Sequence, residues 1–165
     1  MQVLLEQVIN GLSVGAMFAL VAAGLALTVG VLRVVNFAHG DLFMVGGYVF
    51  YYTYSVFGVP YLLSIPLTVA VMVVFGGVFE RLVIRQVVER SWRVQLVATV
   101  AASTILNNGM IARVGSLSRT ASTEFSRTTV EILGTTLSWQ RIIILGGTLL
   151  TFLGLHLFLT RTRTG

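Results

Sequence analysis

From Leu42 to Phe79 the chain carries no Asp, Glu, Lys or Arg. Three further stretches are equally free of charge: Gln7 to Leu32, Val94 to Ala112 and Ile142 to Thr160. An α-helix rises about 1.5 Å per residue, so about 20 mostly apolar residues cross the roughly 30 Å of hydrocarbon in a bilayer. The first, third and fourth runs each supply one such span. The 38 residues from Leu42 to Phe79 are too many for one. Near their middle stands Phe57-Gly58-Val59-Pro60, a turn signal. Two spans joined by a tight hairpin therefore fit this run, the first beginning a little before Leu42. The expectation is an all-α, polytopic transmembrane helical bundle of about five membrane segments.

Composition agrees. Only 10% of the residues are charged and 56% are hydrophobic, against about 25% charged in a soluble domain. Too few charges remain to solvate a water-facing exterior. Cysteine is absent, which excludes a disulfide framework and a thiolate metal site. The net charge of +5 comes from arginine, since the chain has no lysine. These arginines stand at the ends of apolar runs, the pattern of a membrane protein and not of a nucleic-acid binder. The N-terminal Met-Gln-Val-Leu-Leu-Glu lacks the basic region of a secretory signal peptide.

Arginine placement also predicts orientation. Arg33, the Arg81 to Arg93 loop and the Arg161 to Gly165 tail put seven arginines on one side. Arg113, Arg119, Arg127 and Arg141 fall on the other. The positive-inside rule makes the first side cytoplasmic, with the N-terminus outside and the C-terminus inside. The Ser- and Thr-rich stretch from Arg113 to Gln140 then becomes an external loop.

Helix packing is foreshadowed in the first span. Gly11, Gly15, Ala19 and Ala23 recur every four residues, and Ala22, Ala26 and Gly30 form a second row. Small residues at this spacing let another backbone approach closely.

Polar residues at membrane depth are the candidates for function. Asn36, His39 and Asp41 lie in Arg33-Val-Val-Asn-Phe-Ala-His-Gly-Asp-Leu, just before an apolar run. Asn is a good N-cap, and an acid in the first turn suits the helix dipole. Two readings stand side by side. One is a discontinuous helix whose N-terminus faces a substrate, as in many transporters. The other is an interfacial turn facing headgroups and water. Thr99, Ser103 and Asn107, spaced by four, share one face of the fourth segment. That face should turn to protein or a cavity, either to hydrogen-bond a neighbouring helix or to line a pathway. His156, alone on an apolar helix, reads as an interfacial residue.

Catalytic and nucleotide-binding motifs are missing. There is no Gly-rich loop ending in Lys-Ser/Thr, no HExxH and no GxSxG. His39 and Asp41 are the only neighbouring pair open to an intramembrane enzyme. Transport or channel activity is the default class.

The stretch from Arg33 through Met44-Val-Gly-Gly-Tyr48 closely resembles the signature of the permease subunits of branched-chain amino-acid ATP-binding-cassette importers. Asn10 to Leu25 resembles that family's first helix, and Phe79-Glu-Arg-Leu-Val-Ile-Arg85 its cytoplasmic exit from the third. Ala98-Thr99 and the Ser103 to Asn107 face are similar to its fourth. Leu159-Thr-Arg-Thr-Arg-Thr-Gly165 is similar to the lead-in to its ATPase-coupling loop, so Arg161, Arg163 and Gly165 would mark the entrance. The resemblance is collinear over nearly the whole chain. In place of the family's Arg-Pro-Leu-Arg this chain has Arg85-Gln-Val-Val-Glu-Arg90, which predicts a more helical loop. The resemblance further implies one transmembrane permease domain over residues 1–165, ending before the coupling loop and further spans.

What it implies about function is import of a hydrophobic amino acid across the bacterial inner membrane. The implied partners are a second permease subunit, two ATPase subunits and a periplasmic substrate-binding protein, with no nucleic acid. ATP and magnesium would sit on the ATPase subunits, and this chain would carry no cofactor or metal and be no enzyme. Asn36, His39, Gly40 and Asp41 would form a structured break beside the pathway, with Thr99, Ser103 and Asn107 as its lining. Related permeases serve urea and short amides, and a stand-alone channel or scaffold is the alternative outside the family.

Overall fold

The structure, a computed structural model, describes residues 2–32, 34–117, 119–132 and 135–161. Helices dominate it, in this order: α1 (Gln2–Leu32), α2 (His39–Tyr51), α3 (Tyr61–Phe79), α4 (Arg85–Val87), α5 (Trp92–Val114), α6 (Glu124–Arg127) and α7 (Trp139–Arg161). A π turn at Tyr52–Val56 extends α2, and another at Glu80–Ile84 joins α3 to α4. One antiparallel hairpin, β1 (Thr129–Ile132) and β2 (Thr135–Ser138), precedes α7.

Four helical stretches are long and apolar enough to cross a membrane: Leu4–Val31, Tyr61–Val87, Trp92–Val114 and Trp139–Arg161. The chain is a multi-pass membrane protein. The further segment expected between Leu42 and the turn is a helix from His39 to Val56, but it is not among those four stretches. It is shorter and more polar than the others, because it opens on His39 and Asp41 and holds four tyrosines.

Residues divide into two compact units, Gly24–Ala121 and Met1–Ala23 with Ser122–Gly165. In the first unit, α2 packs on α3 and α5. Ala38, Phe79, Ile84 and Ala102 form its core, with Leu42, Val83 and Leu106 against them. Gly46 leaves room for Met72 on α3: a Cβ there would lie 3.7 Å from Met72 Cγ. Where α2 and α3 meet at their loop end, Tyr54 stacks on Phe50, and Tyr61 meets both rings edge-on at 5.7 and 6.0 Å.

The turn between them sits at Phe57 to Pro60, as its residues predict. Gly58 has φ +68°, the left-handed region. The Val59 N–H donates to Thr53 O at 3.1 Å, and the Ser64 hydroxyl donates to the carbonyls of Val59 and Pro60. A Cβ at Gly58 would meet no neighbour, so only backbone strain opposes substitution. Gly58→Val should cost about 1–2 kcal/mol in a denaturation titration. No measurable loss would show that the turn relaxes.

No proline interrupts the chain after Arg85. Helix persists to Val87, leaving only a tight turn before Trp92. The Gln95 side chain fastens that turn, donating to Val88 O at 3.1 Å and Arg90 O at 3.0 Å.

In the second unit, the expected external loop has more order than its composition suggested. Thr123 caps α6 by accepting from the Ser126 N–H at 3.1 Å. Thr129 pairs with Ser138, and Ile132 with Thr135. β-Branched threonines favour extended backbone, so a Thr-rich stretch makes a hairpin as readily as a loop.

Burial is inverted relative to a water-soluble fold. Ser64 and Thr99 are fully buried, while Phe18, Val73, Ile105 and Leu150 are each about 70% exposed. Of the buried hydroxyls, Ser13, Thr53, Thr99 and Thr148 each donate to the carbonyl four residues earlier, whereas the Thr68 hydroxyl has no partner among the described residues. An apolar exterior, with hydroxyls such as these four bonded along their own helices, suits hydrocarbon as solvent.

Candidate functional site

The break between α1 and α2 is the feature most unlike an ordinary membrane hairpin. Val34, Asn36 and Ala38 are buried, while Val35 and Phe37 between them are about half exposed. Val34 to Asn36 have no regular secondary structure and Phe37 and Ala38 form a turn, so the buried backbone groups need partners outside a helix. Asn36 provides such partners. Its Oδ1 accepts the Ala38 N–H at 3.0 Å, and its carbonyl accepts the His39 N–H at 3.2 Å. The sequence suggested Asn36 as an N-cap. Instead it closes an Asx-type turn two residues upstream, and Ala38 holds the cap position without a side-chain bond.

Helix α2 therefore starts at His39, with Asp41 in its first turn. The Asp41 carboxylate accepts a hydrogen bond from the Ser103 hydroxyl of α5. The negative charge suits the positive end of the helix dipole. Its donor comes from a residue 62 positions away. His39 is accommodated by Gly24 of α1. A Cβ at Gly24 would lie 3.1 Å from His39 Cε1 and 3.2 Å from Nε2. Gly40 is exposed and a Cβ there would meet no atom within 4 Å.

Depth follows from α5. Ser103 is the twelfth of its 23 residues, so at about 1.5 Å per residue it lies about 16 Å from either end. Ala38 shares a core with Ala102. The start of α2 thus stands beside the middle of α5, not at its end. Beside this linker is a cavity of about 310 Å³, lined by Val35, Phe37, Trp92, Gln95 and Leu96.

The polar stripe on α5 divides. Ser103 reaches Asp41. Thr99 is fully buried and donates to Gln95 O at 2.9 Å along its own helix. Asn107 stands exposed. On α1, Gly11 and Gly15 are exposed, and a Cβ on either would meet no atom within 4 Å. Ala19 and Ala23 are half-buried. His156 is exposed, as is Arg161 in the last turn of α7. Arg33, Arg163 and Gly165 lie outside the described residues. Gly24 had no sequence signal, because it falls between the two rows of small residues.

A family profile described as "Branched-chain amino acid transport system / permease component" matches residues 7–165. The chain belongs to that family. BraD of Pseudomonas aeruginosa, a high-affinity branched-chain amino acid transport system permease protein, is 29% identical over 98% of this chain and 56% of its own length. LivH of Escherichia coli K12, described in the same words, is 27% identical over the same shares. LivH of Salmonella typhimurium is 25% identical. The chain spans just over half the length of these relatives. No solved structure matches it.

Proposed function

We propose that this chain forms part of the permease subunit of an ATP-binding-cassette importer that carries branched-chain amino acids into the bacterial cytoplasm. The observation that carries the reading is the family match over residues 7–165, which takes in the break at mid-length of α5. Arginine distribution supports an N-terminus outside and a C-terminus inside the inner membrane. A second permease subunit would complete the pathway. A periplasmic binding protein would deliver substrate, and two ATPase subunits with ATP and magnesium would drive the cycle. Arg161, Arg163 and Gly165 would lead into the loop that meets them.

In this reading Asn36, His39, Gly40 and Asp41 set the start of α2 near the bilayer midplane, where discontinuous helices of transporters border their substrate sites. Asp41 already supplies a carboxylate to the positive end of α2, so this N-terminus is not the seat of a substrate carboxylate. Its role is to hold α2 on α5 while substrate passes. Ser103 is the partner in that joint, Thr99 is part of its packing, and Asn107 lines the pathway.

Uptake tests the proposal. The full-length permease, reconstituted in vesicles with its partner subunits and binding protein, should accumulate labelled leucine, isoleucine and valine only when ATP is supplied. ATP-dependent uptake of urea without these amino acids, or leucine flux that ignores ATP, would overturn it.

A further inference from the structure

A second cavity lies on the face of α2 formed by Met44, Gly47, Tyr48 and Tyr51, with Arg119 over it. Its volume is about 300 Å³, the size at which small-molecule sites begin. The four α2 positions follow a spacing of three and four residues, so they form one continuous wall. Arg119 lies in the segment beyond the end of α5, five residues past Val114. It belongs to the opposite end of α5 from the Arg85 to Arg93 turn.

The wall has the chemistry of an amino-acid site. Among the described residues none that lines it is acidic, so none of them neutralises the guanidinium of Arg119 from within. A guanidinium presents two parallel N–H donors that match a carboxylate. Tyrosine faces attract an ammonium group, and tyrosine hydroxyls accept its hydrogen bonds. Met44 supplies an adaptable apolar surface. Gly47 leaves the middle of the wall flat, and a Cβ there would meet no atom within 4 Å.

We infer that this cavity is a binding site for a small hydrophobic amino acid in its zwitterionic form. The carboxylate pairs with Arg119, the ammonium lies against Tyr48 or Tyr51, and the side chain packs on Met44 and Gly47. The inference rests on the importer reading, in which this end of α2 and α5 faces outward. It places a first station at the outer end of the pathway, separate from the Asp41–Ser103 joint.

Arginine modification tests it site by site. The complete importer in phosphatidylcholine vesicles is treated with phenylglyoxal, and Arg119 is followed by peptide mass spectrometry. Millimolar L-leucine should slow modification of Arg119 at least threefold. Leucinamide, which lacks the carboxylate, should leave the rate unchanged. A Cβ at Gly47 has open space, so Gly47→Leu should occupy the cavity, keep the folded elution profile and abolish the protection. Three results would overturn the site: no effect of leucine in vesicles that accumulate leucine, equal protection by leucinamide, or protection that survives in Gly47→Leu. A lipid headgroup resident on Arg119 would give the first of these. Protection in vesicles that take up no amino acid would uphold the site and refute the importer reading.

Discussion

Ser103→Ala should destabilise the permease by about 2 kcal/mol and reduce ATP-driven uptake by at least tenfold, whereas the same change in an Asp41→Ala background should cost less than about 0.5 kcal/mol. The asymmetry comes from what each deletion leaves behind. Removing Ser103 strands a carboxylate beside the middle of a membrane-spanning helix. Losing a hydrogen bond to a charged group costs about 1.5–3 kcal/mol, and an unpaired buried group adds its desolvation. Removing Asp41 strands only a hydroxyl. That hydroxyl can turn back to the carbonyl four residues earlier, as Thr99 and Thr104 already do. Interhelical hydrogen bonds in membranes average about 0.6 kcal/mol and reach about 1.7 kcal/mol. The charge on Asp41 places this pair at or above the top of that range. Asp41→Asn keeps an acceptor for Ser103 and should be milder than Asp41→Ala. The measurement is a double-mutant cycle on denaturation midpoints, with uptake beside it. Equal cost of Ser103→Ala in both backgrounds would show that the two side chains do not cooperate.

Gly24→Leu is the second change with a large expected effect. The imidazole of His39 occupies the space where a side chain at position 24 would go. One methyl is nearly tolerable: a shift of His39 by a few tenths of an ångström relieves a 3.1 Å contact. Gly24→Ala should therefore change stability by less than about 1 kcal/mol. A leucine demands that the imidazole leave, and overpacking of this kind costs about 1–3 kcal/mol. Because His39 opens α2, its displacement also disturbs the turn that seats Asp41 on Ser103. Uptake should fall with folded yield, to below one tenth of the parent. The cause is separable, since His39→Ala empties the space. In that background Gly24→Leu should lose at least half of its penalty. An undiminished penalty would place the clash elsewhere, and a fully active Gly24→Leu would remove the contact from the account.

Much of the architecture is legible without coordinates. The charge-free runs mark the long helices, because hydrocarbon excludes charge wherever it meets the chain. Phe57 to Pro60 marks a turn because glycine alone reaches φ +68° cheaply and proline suits a first turn. Asn36 to Asp41 marks the interruption, because side chains that bond their own backbone end one helix and begin another. The departures are instructive for the same reason. Asn36 closes a turn and does not cap the helix, since both uses need the same short amide and differ only in backbone path. The Arg113 to Gln140 stretch folds into a short helix and a hairpin, since polar threonines suit extended strands as well as loops.

What the sequence by itself determined is a polytopic helical membrane protein, broken once after its first span and akin to a family of amino-acid permeases. Those properties are sums over neighbouring residues, and hydropathy, charge and turn chemistry act along the chain. Which polar groups meet was decided only in three dimensions. Thr99, Ser103 and Asn107 are equivalent by spacing, yet one is buried on its own helix, one grips Asp41 and one stands exposed. The difference lies in the rotation of α5 and in how far the start of α2 reaches along it. Packing of α2 against α3 and α5 sets both, and no local stretch encodes them. The charge-free runs mark where the helices lie, but only that packing puts the break beside the middle of α5 and makes Asp41 an acid with a partner.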